Sequence, residues 1–142
     1  MSARDFEVPV RIADDRVADL IAVGVEQGCD YWARVVAYID PPGGPPTEET
    51  LSAQFGPRWS DRLYRHVHYA LIDGAAVVFD VEASERGVPS GRLTLGRVAV
   101  SRGLELLAQK PRAFAHLLQE QEDADTGDLF LQLCLLERHV FA

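Results

Sequence analysis

The chain lacks any apolar run long enough to cross a bilayer, and it has no basic-then-apolar amino-terminal stretch of the kind that directs secretion. A cytoplasmic protein with no membrane role is therefore expected. Cysteine is scarce: Cys29 and Cys134 are the only two, far apart and without CxxC spacing, so free thiols in a reducing compartment are the simplest reading. Clustered positive charge is also missing. Fourteen Lys and Arg stand against 22 Asp and Glu, a formal net charge of -8, which argues against direct nucleic-acid binding. The same acidity suits solubility, and it would suit a basic partner. What remains is an ordinary globular balance, 47% hydrophobic and 25% charged, over 142 residues, enough for a single domain spanning 1–142 with a real core.

The greasiest stretch is the last, Asp125 to Ala142 (DTGDLFLQLCLLERHVFA). On a helical wheel Leu129, Leu133, Leu136 and Val140 fall together, Phe130 and Cys134 lie beside them, and Leu131 and Leu135 land opposite. Asp128, Gln132 and His139 form a narrow polar strip. A segment apolar nearly all round is buried, so this one is expected to be the central helix. Asp125 is its expected N-cap, with Asp128 as capping-box partner.

Earlier in the chain, Phe6 to Ile12 (FEVPVRI) alternates as a half-buried strand, with Pro9 placing it at an edge. Asp14 and Asp15 open an amphipathic helix carried by Val17, Leu20, Ile21, Gly24 and Val25, with Gly28 as its C′ residue. Tyr31 to Ile39 reads as a strand. Pro41 to Pro46 (PPGGPP) is a loop or rigid spacer. Thr47 caps a short helix through Phe55, ended by Gly56-Pro57. Arg58 to Arg65 is basic and aromatic without a clear period. His66 to Ile72 and Ala75 to Val81 flank Asp73-Gly74, a hairpin signal, and Arg92 to Leu95 adds a short strand. From Arg97 on, helical spacing takes over through Val100, Gly103, Leu104 and Leu107. A second helix starts at Pro111, with Phe114, Leu117 and Leu118 inside. Strands early and helices late predict an α+β fold: a mostly antiparallel sheet packed on C-terminal helices, the last of them central and buried.

Chemistry-bearing patterns are few. On a strand, His66 and His68 would point the same way and could share a metal, with Asp73, His116 or His139 as a third ligand. A small metal-dependent hydrolase would follow. The plain alternative is two polar histidines on a solvent face. Cys29 has no nucleophile motif around it and Cys134 lies in the buried helix, so neither is given a catalytic role. The acidic run Glu120, Glu122, Asp123, Asp125 and Asp128 lacks the closing Glu of a calcium loop and reads as a solvated loop with helix capping. Tyr31, Trp32 and Trp59 read as packing aromatics. The PPGGPP segment has no phosphate-loop context. No catalytic residue and no cofactor is assigned.

Two patches carry a resemblance. One is IADDRVADL with EQGCDYW, Ile12 to Trp32; the other is SRGLELLAQK, AFAHLL and DADTGDLFLQ, Ser101 to Gln132. Together they resemble a family of small proteins encoded by bacteriophages and prophages. In that family the first helix ends in Glu-Gly-Gly before an aromatic pair; here Glu26-Gln27-Gly28 precedes Tyr31-Trp32. The family's Thr-Gly-Asp-x-Phe-Leu-Gln is similar to Thr126 to Gln132, with Leu129 in the variable place. The middle, Asp40 to Gly91, is not covered. The resemblance implies a shared scaffold and an accessory protein that binds another bacterial or phage protein in the cytoplasm. It brings no catalytic residue. A self-assembling structural component is the other non-enzymatic expectation, and the oligomeric state stays open.

Overall fold

The computed structural model describes residues 9–61, 64–82 and 87–141. At its centre stands α6, Ala124–Leu136, buried from Thr126 to Leu136 except at Leu129. It touches helix α1 (Asp14–Val23), the π-helical turn that extends it (Gly24–Gly28), helix α4 (Arg97–Leu107) and strand β3 (Gly91–Leu95). An apolar surface on all sides leaves a helix no solvent face, and contacts on several sides are the consequence.

The close approach of α1 to α6 depends on glycine. A Cβ on Gly24 would stand 2.6 Å from the Gly127 carbonyl oxygen, and one on Gly28 would stand 2.6 Å from that of Ala124. Neither glycine has a positive φ. Gly28 is thus kept for space, and the helix that was expected to stop there continues into the wider π turn, with Cys29 as its cap. Asp14 is the first residue of α1, whose cap is Ala13. Its carboxylate is occupied by Arg97 and Gln54.

The sheet has three antiparallel strands in the order β1-β2-β3, with β1 at Ala33–Ile39 and β2 at Ala76–Val81. Val35, Phe79 and Leu93 stand in register on the inner face, next to Tyr38, Val77 and Leu95. Arg34, Asp80 and Arg92 stand in register on the other face, as the two-residue period demands. A bulge between Val35 and Ala37 leaves Val36 unpaired and 39% exposed. The fold is α+β, as the segregation of strand and helix patterns predicts.

Shorter elements fill the periphery. Thr47 caps α2 (Glu48–Phe55), its side chain accepting from the Thr50 N–H at 3.2 Å, and Gly56 ends it at φ 95°. Pro111 opens α5 (Pro111–Leu118). Four expectations need correction over the described residues. Of the proposed strand Phe6 to Ile12, the part up to residue 8 lies outside the described residues, and residues 9–12 belong to no strand. His66 to Ile72 is not a strand: Arg65–His68 forms a helical turn, α3, and tight turns follow to Gly74. Val67, Ala70 and Leu71 keep the i, i+3, i+4 spacing of a helix, and all three are buried. The Asp73-Gly74 turn forms, with Gly74 at φ 80°, but it delivers the chain from α3 to β2 instead of closing a hairpin. Finally, α6 starts two residues earlier than expected, capped by Asp123 in place of Asp125, and it stops at Leu136, where Glu137 takes a left-handed conformation.

Candidate functional site

With α3 helical, His66 and His68 diverge. The His66 ring stacks on Tyr64 and its Nε2 lies 3.2 Å from Glu26. His68 turns inward, 6% exposed, among Phe55, Trp59 and Tyr69. Its Nδ1 is buried and has no hydrogen-bond partner. Burial, then the nearby Arg65 and His66, lowers its pKa to about 4, so the ring is neutral in the fold. The shared strand face on which a joint metal site depended does not exist, and among the described residues no group of three or more His, Cys, Asp or Glu is placed to hold a metal ion. Beside this corner Arg65 lies over the rings of Tyr38 and Tyr69, 4.5 and 4.9 Å from their centroids, and Asp40 accepts from the Tyr69 hydroxyl.

Both cysteines are buried and free. Loss of solvent, with Asp128 and Asp30 close by, pushes the Cys29 thiol up to about 12. Burial holds that of Cys134 well above its usual range. Thiols so far from ionising are poor nucleophiles.

The acidic run is spent inside the molecule. Arg16 donates to Glu122 and Asp19 at 2.9 and 3.0 Å and to the Leu117 carbonyl, and pairs with Glu120 at 3.5 Å. Asp123 accepts from the Thr126 N–H and hydroxyl, both at 2.9 Å, which keeps its carboxyl below the usual range. Among the described residues, Asp125 alone of the five makes no hydrogen bond or ion pair.

Asp128 is not a capping residue. One turn into α6 it meets the aromatic pair that follows the first helix: the Trp32 indole N–H and the Tyr31 hydroxyl each donate to it at 2.7 Å. Gln132, one helical turn on, donates to the same carboxylate at 3.2 Å. The Gln132 Oε1 then accepts from the Val140 and Phe141 N–H groups, both at 2.8 Å. That contact folds the chain back after Glu137 and stacks Phe141 on Trp32, centroids 5.4 Å apart. Loss of solvent and the hydrogen bond to Asp128 push the Tyr31 phenol far up. The motif residues that carry the resemblance thus meet in one satisfied network joining β1, α6 and the tail. It is a lock with its donors and acceptors matched, and no group in it is left over for chemistry.

The surface feature that sequence reasoning missed is Val98, 87% exposed at the second position of α4. It stands between two depressions. One, of about 330 Å3, lies toward Ile12, Val17 and Leu71. The other, of about 690 Å3, reaches the exposed Ile39 over a floor of Ala75, Ala76 and Ala99. Arg97, Arg102, Asp73 and Glu137 rim the larger one. The available signal was the α4 pattern itself, because Val98 is apolar and off the Val100-Gly103-Leu107 stripe that faces inward.

Neither a protein-family model, nor a curated protein, nor a solved structure matches the chain. Function must therefore be argued from the sites themselves.

Proposed function

We propose that this chain is a phage- or prophage-derived accessory protein that acts in the bacterial cytoplasm by binding another protein, and that it does so through the Val98 face. The observation that carries the proposal is the arrangement at the start of α4. An almost fully exposed β-branched residue and the half-exposed Ile39 border one wide, shallow depression with a floor of alanines and a rim of charges. An apolar centre inside a charged rim is the anatomy of a protein interface. The small-residue floor leaves room for a large apolar side chain of the partner. The origin rests on the motif resemblance at Ile12 to Trp32 and Ser101 to Gln132.

The test is affinity capture from a lysogenic or infected host, comparing the natural chain with Val98→Asp, Ile39→Glu and the remote control Glu49→Lys. An acidic residue near the start of a helix is compatible with its dipole, so Val98→Asp should fold normally. A partner retained by the natural chain and the control, and weakened at least about tenfold by Val98→Asp, is the expected result. A partner captured equally by Val98→Asp moves the site elsewhere. Light scattering that shows a dimer lost on Val98→Asp would make the partner a second copy.

A further inference from the structure

A different surface, between the start of α5 and the start of α6, has the makings of a small-molecule site. Its groove measures about 400 Å3, within the usual size of ligand pockets. Pro111, Ala113 and Leu129 give it an apolar lining. One wall, at the start of α5, carries Lys110 and Arg112; the other, in the first turn of α6, carries Asp125. Among the described residues none of these three forms an ion pair. Arg16 and Arg97, by contrast, each hold two or more acidic partners.

His116 stands in the same groove with its Nδ1 turned to Thr126. The Thr126 hydroxyl donates to Asp123, so its oxygen is free to accept from His116 Nδ1, 3.2 Å away. In the neutral ring that arrangement makes Nε2 the acceptor. Thr126 itself is 4% exposed and already a donor, so it is closed to a nucleophilic role. The groove therefore offers two cations on one wall, an acceptor nitrogen and a carboxylate elsewhere, and an apolar surface between them.

We infer that this groove binds a small zwitterion with an apolar body, of which a free hydrophobic α-amino acid is the simplest form. Its carboxylate pairs with Arg112 and Lys110, its ammonium donates to Asp125 and His116 Nε2, and its side chain lies on Leu129. The inference is independent of the protein-binding reading and of the Val98 face.

The experiment is an NMR titration of the full chain with L-leucine, followed at the Leu129 methyls and the His116 ring. N-acetyl-leucine and leucine amide serve as probes that each lack one charge. Saturable shifts with leucine are expected, with each blocked probe at least about tenfold weaker, since each leaves charged groups of the site unpaired. Arg112→Gln and Asp125→Asn, both at exposed positions, should each weaken leucine by a similar factor without changing thermal unfolding. Val98→Asp should leave the titration unaltered. Absence of a saturable shift with leucine or phenylalanine overturns the inference. So does equal binding of N-acetyl-leucine, which would reveal a plain carboxylate site, and so does leucine binding that both charge variants retain.

Discussion

Asp128 and His68 are both ionisable side chains buried in the same small molecule, and they are treated in opposite ways. Asp128 receives donors from Trp32, Tyr31 and Gln132, so its charge is met from three directions. His68 stands among aromatic rings with Nδ1 unanswered, and the fold tolerates it by keeping the ring neutral. The contrast separates a locked seam, where α1, β1 and the tail meet α6, from a looser corner around α3. The seam should fail through sterics and lost hydrogen bonds, and the corner through protons.

The largest effect is expected where the seam has no room at all. Gly127→Val drives a side chain into Gly24 and Val23, with backbone on the far side and nothing flexible to yield. A loss of about 4 kcal/mol or more is expected, enough to leave the chain largely unfolded. Soluble expression and circular dichroism will show it. Next comes Asp128→Ala, which strands the buried indole N–H and one Gln132 donor and takes one acceptor from the half-exposed Tyr31 hydroxyl. Buried groups left unsatisfied cost about 1–3 kcal/mol each before relaxation, so a loss of about 3 kcal/mol by chemical denaturation is expected. Asp128→Asn sharpens the point, because its NH2 would face a donor that the carboxylate accepts. It should recover only part of the loss. A variant as stable as the natural chain would mean that the network is ornamental.

At the α3 corner the sign is set by His68. Its folded pKa, about 4, lies below the 6.5 of the unfolded side chain. The unfolded state therefore takes up the proton first as the pH falls. The contribution is constant above about pH 6.5, turns against folding between there and about pH 4, and is flat below. Across the whole window it amounts to roughly 3 kcal/mol. Carboxylates titrate over part of the same range, so the readout is a difference: unfolding free energy near neutrality minus that near pH 4.5, for the natural chain and for His68→Phe. The natural chain should lose roughly 2 kcal/mol more than the variant. Equal losses would place a partner on Nδ1.

Much of the seam was legible in the sequence, and its reason is periodicity. The all-round apolar pattern from Leu129 to Leu136 leaves no alternative to burial, and the spacing of Val17, Leu20 and Ile21 allows only a helix with one inner face. What could not be read was what the polar interruptions do. Asp128 looks like a capping residue because an acidic side chain three places after the expected cap, Asp125, satisfies a local rule. Its aromatic partners are 96 and 97 residues away, and no local rule reaches them. The glycines misled in the same manner: Gly28 suggests a helix stop by conformation, yet it is there because α6 passes too near for a Cβ. At α3 the error was one of period. His66 to Ile72 is short and mostly apolar, the case in which strand and helical turn look alike. A β-type reading then placed His66 and His68 on one face, and the candidate metal site followed from that single choice.

The smallest predicted effect lies at the end of the seam, and its sign is reversed. Glu137 ends α6 with φ 60°, a left-handed conformation that side chains other than glycine and asparagine adopt at a cost. The turn is imposed from outside, because Gln132 holds the Val140 and Phe141 N–H groups and so brings the chain back onto Trp32. Glu137→Gly removes the strain and also a long, exposed ion pair to Arg102 at 3.7 Å, which is worth little in water. Relief of the backbone should outweigh the loss, for a net gain of roughly 0.5 kcal/mol by chemical denaturation. The gain depends on the lock. In a Gln132→Ala background nothing compels the turn, the strain has no cause, and Glu137→Gly should no longer stabilise. If the glycine helped equally in both backgrounds, the left-handed residue would be a property of the local sequence, and the network at Asp128 would not reach the tail.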